Sequence, residues 1–303
     1  MEPITNFEDL LVRFRTMKQK KNVAVVSPND EHTVDVVKRC LNDGLAKFHL
    51  VCDGHNMEAV ETLAAAWPEA VSVHQCADAD SAAAKGVELV RDGKAEVLMK
   101  GTINTDNLLR AVLNKECGLL PKGRVMTHAS LIDVPGYDKL ILFSDAAVIP
   151  RPNYEQFCSM LHYDIAICNS LGIEQPKAAL IHFTEKVNDK FAHTLDYKRI
   201  REEAAEGMFG NAVVDGPMDV KTACDTHSAI IKGIKSPVAG HADILIFPTL
   251  EAGNTFYKTM TFFCHAKIAG IICGTDAPVV VPSRADSSES KFYSLALACL
   301  VNF

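Results

Sequence analysis

Short apolar runs, often β-branched, alternate with longer amphipathic ones along most of this chain, and that alternation restricts the fold more than any other feature. Asn22-Val23-Ala24-Val25-Val26 reads as a buried strand, stopped by Ser27-Pro28-Asn29-Asp30. The stretch from Glu31 to Ala46 then places Val34, Val37 and Leu41 on one helical face. A strand at Phe48–Cys52, a helix at Met57–Ala66, a strand at Val71–His74, a helix from Ala79 to Val90 and a strand at Glu96–Met99 continue the pattern. Repeated strand–helix units of this kind build right-handed βαβ crossovers, and so a parallel sheet covered by helices.

Between Arg124 and Ile149 the rhythm changes. Two apolar runs, Val125–Val134 and Lys139–Val148, flank Pro135-Gly136-Tyr137-Asp138, which predicts an antiparallel hairpin interrupting the parallel order. A long helix is expected from Asn153 to Gly172. Strands follow at Ala178–Phe183, Ala212–Val214, Asp243–Phe247, Ile268–Cys273 and Val279–Val281, with a closing helix from Ser287. The predicted division is residues 1–149 with 284–303 in one α/β domain, and residues 150–283 in the second.

Charge and composition exclude several classes. A net charge of −7 and a pI near 5.9 argue against nucleic-acid binding, which normally shows a basic face. No apolar run reaches the roughly 18 residues that would suggest a membrane span. Met1-Glu2-Pro3-Ile4-Thr5 lacks the basic and apolar regions of a signal peptide, so a cytoplasmic location is expected. The ten cysteines are scattered without a C-x-x-C pair, and most lie in apolar runs where a reduced thiol behaves as a small hydrophobe. The histidines show no metal-ligand spacing, and no metal site is expected.

Ligands of open α/β sheets bind beyond the carboxyl ends of the strands, and three polar segments are expected there. Lys100-Gly101-Thr102-Ile103-Asn104-Thr105-Asp106 follows a strand and precedes a helix. Gly101 permits close backbone approach, and Thr105 or Asn104 can cap a helix whose N–H groups face an anion. Pro282-Ser283-Arg284-Ala285-Asp286-Ser287-Ser288-Glu289-Ser290 joins the last strand to the last helix. Arginine suits bidentate phosphate recognition, yet it sits where the helix dipole disfavours a cation; a bound anion would explain it. Asp286 and Glu289 read either as a general base or as a capping box. In Leu250-Glu251-Ala252-Gly253-Asn254, Asn254 is either a helix cap or a ligand.

In this order along the chain, these segments resemble the phosphate acetyl/butyryl transferase family. The resemblance rests on Val97-Leu98-Met99-Lys100-Gly101 with Asn104-Thr105, Asp133-Val134-Pro135-Gly136-Tyr137, and Ser144-Asp145-Ala146-Ala147. Ile234 to Asp243, Leu250 to Asn254 and Pro282 to Ser287 complete it. The length, the Met-Lys-Gly segment and Ser-Arg-Ala-Asp-Ser look more like the butyryltransferase branch.

That resemblance implies two α/β domains with a cleft between them, like isocitrate and isopropylmalate dehydrogenases, paired as a homodimer. It implies direct transfer of a short acyl group, butyryl first and acetyl as runner-up, between coenzyme A and inorganic phosphate. Acyl-CoA, phosphate and acyl phosphate are then substrates, with no tightly bound cofactor. Ser283 and Arg284 would hold the phosphoryl group. The family's acid, proposed to deprotonate the thiol, aligns with Ser290, which leaves Asp286 and Glu289 as candidate bases. Lys100, Arg124 and Lys122 are candidates for the phosphates of coenzyme A, while Thr127 and Asn254 are candidate oxyanion donors. A pyridine-nucleotide dehydrogenase and a non-catalytic acyl-CoA-binding protein on the same fold are the alternatives.

Overall fold

A computed structural model describes residues 2–55, 57–283 and 286–301. Its first elements are α1 (Phe7–Arg15), β1 (Lys21–Val26), α2 (Glu31–Asn42), β2 (Ala46–Cys52), α3 (Met57–Ala66), β3 (Val71–Gln75) and α4 (Ala79–Arg91). Next come β4 (Val97–Lys100), α5 (Thr105–Val112), β5 (Thr127–Asp133), β6 (Ile141–Ser144), α6 (Tyr154–Ser170), β7 (Lys177–Ile181) and α7 (His193–Ala205). The chain continues through β8 (Val213–Met218), α8 (Val220–Cys224), α9 (Thr226–Ile231), β9 (Ile244–Ile246) and α10 (Leu250–Phe262). It closes with β10 (Lys267–Cys273), β11 (Val279–Val280) and α11 (Ser288–Leu300). This is the mixed α/β fold that the strand–helix alternation predicts. Helix α1 was not expected, although Phe7, Leu10, Leu11 and Phe14 carry a helical apolar spacing and are all buried.

Two compact units emerge. One holds Glu8–Met126 with Ala269–Val301; the other holds Thr127–Ile268 with the N-terminal residues through Phe7. These units change over at 126/127 and 268/269, whereas the sequence reading drew its boundaries at 149/150 and 283/284. The hairpin accounts for the first difference. β5 pairs antiparallel with β6, and β6 pairs with β9, so the hairpin belongs with the later strands.

In the first unit the strands run in the order β3-β2-β1-β4-β11-β10. All neighbours are parallel except β10 and β11. Val23–Val26, Leu98 and Met99 are fully buried, as central parallel strands covered on both faces should be. Helix α2 buries Val36, Val37, Cys40 and Leu41, with Val34 only half-buried at its margin. Successive strands move from β1 outward to β3, and the chain then returns to place β4 on the other side of β1. The pair β1/β4 is therefore a topological switch point, the place where ligands of open α/β sheets bind.

The second unit orders its strands β5-β6-β9-β7-β8, parallel throughout except for the β5–β6 hairpin. Its core collects Phe143, Leu245, Phe247, Met218, Val238 and Ile181 with the half-buried Phe256. The rings of Phe143, Phe247 and Phe256 meet at 5.1–6.1 Å. No helix among the described residues is long and apolar enough to cross a membrane.

Candidate functional site

The carboxyl ends of β1, β4 and β11 bring together the segments that carry the sequence signals in the first unit. At the end of β1, Ser27 adopts a left-handed backbone (φ 53°), uncommon for a residue with a side chain. Its hydroxyl donates to Asp53 Oδ2 at 2.7 Å, and Asn29 Nδ2 donates to Asp53 Oδ1 at 2.9 Å. Burial favours the neutral Asp53 carboxyl, but these bonds and that from the His55 amide outweigh it and hold its pKa below the usual carboxylate value. Ser27 thus turns its carbonyl toward the β4 loop, where it accepts from Thr102 N (2.8 Å) and Thr102 Oγ1 (3.1 Å). Gly101 lies against the same carbonyl. A Cβ there would overlap the Ser27 oxygen and stand 2.7 Å from its carbon, so the crossing admits only glycine. Asn104, rather than Thr105, is the N-cap of α5, accepting from Asp106 N at 3.4 Å; Thr105 is the first helical residue.

A cavity of about 310 Å³ opens beside this crossing, lined by Asp30, His32, Lys100, Gly101, Thr102, Pro282, Ser283 and Lys291. Segments far apart in sequence, Lys100-Gly101 and Ser283, therefore meet in one place. Lys100 is only 2% exposed, and its Nζ donates to Gly101 O at 3.1 Å. Ser283 is exposed at the mouth. Its amide donates to Asp286 Oδ2 at 2.8 Å, and the Asp286 amide returns to Ser283 O at 3.1 Å. Asp286 therefore pins the backbone of Ser283. The cap of α11 is Ser287, which accepts from Ser290 N at 3.2 Å, not Asp286 as the capping-box reading had it. Glu289 lies in the exposed first turn, where Tyr293 OH donates to its Oε1 at 3.2 Å. Arg284 lies outside the described residues.

The remaining expected site residues stand elsewhere. Arg124 and Lys122 are exposed on the loop after α5, where the Arg124 amide donates to Pro121 O at 3.1 Å. Thr127 and Asn254 belong to the second unit and serve one corner of it. Thr127 is fully buried, and its hydroxyl donates to Asp145 Oδ2 at 2.7 Å. The Asp145 carboxyl also accepts from the amides of His128, Ala147 and Val148 at 2.7–2.9 Å. Asn254 is not a cap; Thr249 caps α10, and Asn254 Nδ2 donates to Ala146 O at 3.0 Å. Gly253 packs on the same turn, where a Cβ would stand 3.0 Å from the Asp145 carbonyl carbon.

A family model described as phosphate acetyl/butaryl transferase matches residues 70–299. The chain belongs to this family. It is 36% identical over 298 residues to the phosphate butyryltransferase of Clostridium acetobutylicum, covering 98% of each chain. It is 34% identical over 295 residues to the phosphate acetyltransferase of Thermotoga maritima, covering 97% of this chain and 99% of that one. Among solved structures it superposes on a branched-chain phosphotransacylase from Enterococcus faecalis with a TM-score of 0.82 and 29% identity, covering 92% of this chain and 98% of that one. The acyltransferase family expected from the motifs is thus the family found, with both butyryl and acetyl names among its close relatives.

Within this phosphate acetyl/butyryl transferase, the family-like segments play two parts. Lys100-Gly101 and Ser283 line the cavity, while Ser144-Asp145-Ala146-Ala147 and Leu250–Asn254 build the Asp145 corner of the other unit. Sequence reasoning missed Asp30, His32 and Lys291 as cavity residues, and gave Thr102 no role within a segment it singled out. Asp30 reads as strand punctuation and helix cap, which it also is: it caps α2 by accepting from Thr33 N at 3.0 Å. Lys291 had a detectable signal, a cation in the first turn of a helix, the anomaly already visible at Arg284. Among the described residues, no three His, Cys, Asp or Glu side chains gather as metal ligands.

Proposed function

We propose that the chain reversibly transfers a short acyl group, butyryl in the first instance, between coenzyme A and inorganic phosphate. The observation that carries this reading is the meeting of Ser283 with Lys100-Gly101 in one cavity at the switch point of a parallel sheet. A hydroxyl and a buried ammonium are donors suited to a tetrahedral oxyanion.

In this reading Ser283 and Arg284 hold the phosphoryl end of acyl phosphate, and Lys100, expected from the sequence to meet the phosphates of coenzyme A, joins them because it lines the same cavity as Ser283. The thiol sulfur attacks the acyl carbon, the thiol proton passes to a base, and inorganic phosphate leaves with its charge balanced by Arg284. A free thiol with a pKa of about 8.5 is mostly protonated at neutral pH, so the base contributes to the rate. Asp286 is occupied in holding Ser283, which makes Glu289 the first carboxylate to test. Arg124 and Lys122, exposed on one loop, supply the local positive charge that an acidic protein needs to attract coenzyme A phosphates. Thr127 and Asn254 shape the Asp145 corner in this reading. No tightly bound cofactor takes part. A homodimer of the isocitrate/isopropylmalate dehydrogenase kind, working in the cytoplasm, completes the proposal.

The test is phosphate-dependent release of free coenzyme A from acetyl-, propionyl-, butyryl- and isobutyryl-CoA, followed with a thiol reagent. Release that requires phosphate and is fastest with butyryl-CoA is expected. No release from any of the four by folded protein overturns the reading. Arg284→Ala lowers turnover by orders of magnitude; wild-type turnover in that variant removes Arg284 from the phosphoryl site.

A further inference from the structure

Lys291 has no part in the reaction as written above, yet its placement calls for one. It is the fourth residue of α11 and 3% exposed, the one charged side chain in the buried run Lys291–Cys299. The positive end of the helix dipole opposes a cation in this turn. A buried ammonium is costly unless well compensated. Its Nζ donates to Asp30 Oδ1 at 2.7 Å and to Thr33 Oγ1 at 3.1 Å. An ammonium has three N–H bonds, and the third has no acceptor among the described residues.

Lys100 and Lys291, both almost wholly buried, line the same cavity, and Asp30 is the one carboxylate among its described lining residues. That carboxylate is already shared: Thr33 N and Thr33 Oγ1 donate to it at 3.0 and 2.6 Å. Burial tends to raise the Asp30 pKa, but the bonds from Lys291 and Thr33 hold it below the usual value. The described lining thus carries more ammonium groups than carboxylates, and the third N–H of Lys291 is left for an acceptor that enters the cavity.

We propose that Lys291 is a phosphate-binding residue: with Lys100 and Ser283 it holds the oxygens of the transferred phosphate, while Asp30 and Thr33 position its ammonium. This rests on the reading of the chain as a phosphate acyltransferase. A tetrahedral anion presents oxygens in several directions, which suits donors arriving from β4, from the turn after β11 and from α11. The phosphates of coenzyme A share this chemistry. The presence of Ser283 in the same cavity assigns the site to the phosphate that is transferred.

The test compares the full-length wild type with Lys291→Met, which keeps the stem and removes the charge, and with Lys291→Arg. In the acyl-CoA plus phosphate direction, Lys291→Met is expected to raise KM for phosphate about tenfold or more, the worth of one hydrogen bond to a charged group. KM for acyl-CoA stays within about twofold, and Lys291→Arg recovers part of the loss. Calorimetric titration with inorganic phosphate should show the same weakening without turnover. An unchanged phosphate affinity in folded Lys291→Met overturns the proposal, as does a rise confined to KM for acyl-CoA or a wild type that binds no phosphate. If Lys291→Met does not fold, Asp30→Asn decides: phosphate binding tightens if Lys291 is a ligand, and unchanged affinity marks a purely structural pair. A wild type that binds phosphate through Lys291 but releases no coenzyme A would overturn the reaction and leave this site standing.

Discussion

Gly101 sits directly beneath the carbonyl of Ser27, its own amide donating to Val26 O at 2.8 Å, so the loops leaving β1 and β4 cross at van der Waals contact. The contact is backbone against backbone, and no side-chain rotation can relieve an added methyl group. Gly101→Ala should therefore force the β4 loop away from Ser27, at a cost of roughly 1–3 kcal/mol for overpacking. Because Lys100 and Thr102 flank the crossing, turnover should fall further than stability does. Urea unfolding and the coenzyme A release assay measure the two effects. A variant with wild-type stability would show that the loops are not in contact.

Thr127→Val distinguishes a structural hydroxyl from a catalytic one. The substitution keeps the buried shape and removes one of the donors on Asp145, leaving the amides of His128, Ala147 and Val148. Weakened satisfaction of a buried carboxyl should cost about 1–3 kcal/mol. Turnover per folded molecule should stay within about threefold of wild type. Intact stability with a large loss of turnover would instead give the hydroxyl to the reacting oxyanion.

Asp286 and Glu289, three residues apart, should behave differently. Asp286→Ala frees the Ser283 amide and loosens the turn, so KM for phosphate should rise while stability changes by no more than about 1 kcal/mol, as for a lost cap. Glu289→Gln keeps an acceptor for Tyr293 but cannot take a proton. If Glu289 is the base, turnover drops and the acid limb of the pH–rate profile disappears. If both variants keep wild-type turnover, the base lies outside this segment.

The fold was legible because strand–helix alternation and turn residues report local structure. Strands β1 and β4, the hairpin after Met126 and the last helix all fall within a few residues of their expected positions. Parts of the candidate cavity were legible for a different reason. Lys100-Gly101 and Ser283 are polar segments at strand ends, and topology alone carries them to one sheet edge. Lys291 and Asp30 were not, since the 2.7 Å contact between them joins residues 261 positions apart and depends on packing of α2 against α11. The bonds that Thr127 and Asn254 make to Asp145 and Ala146 were hidden for the same reason. A free donor and a donor spent on Asp145 or Ala146 look identical in sequence.

Asp164 should make stability depend on pH in a way that one substitution removes. It is completely buried on α6, where Ser144 Oγ donates to Oδ1 at 3.0 Å and Oδ2 has no partner among the described residues. Burial raises its pKa well above the usual carboxyl value, the Ser144 bond opposes this, and the nearby Asp145 adds to the rise. In the unfolded chain the same group titrates near 3.9. Between that value and the raised native one, the folded protein keeps a proton that the unfolded chain has released. Stability therefore falls as pH rises through this window, by at most about 1.4 kcal/mol per pH unit, and levels off above the native pKa. Asp164→Asn retains the shape without the linked proton. Its stability relative to wild type should increase steadily from pH 5 upward and become constant once Asp164 is ionised in the native state. Urea unfolding of both proteins at one-unit pH intervals measures this difference with contributions from other groups cancelled. A difference that does not change with pH would mean that Asp164 holds no proton in the folded protein.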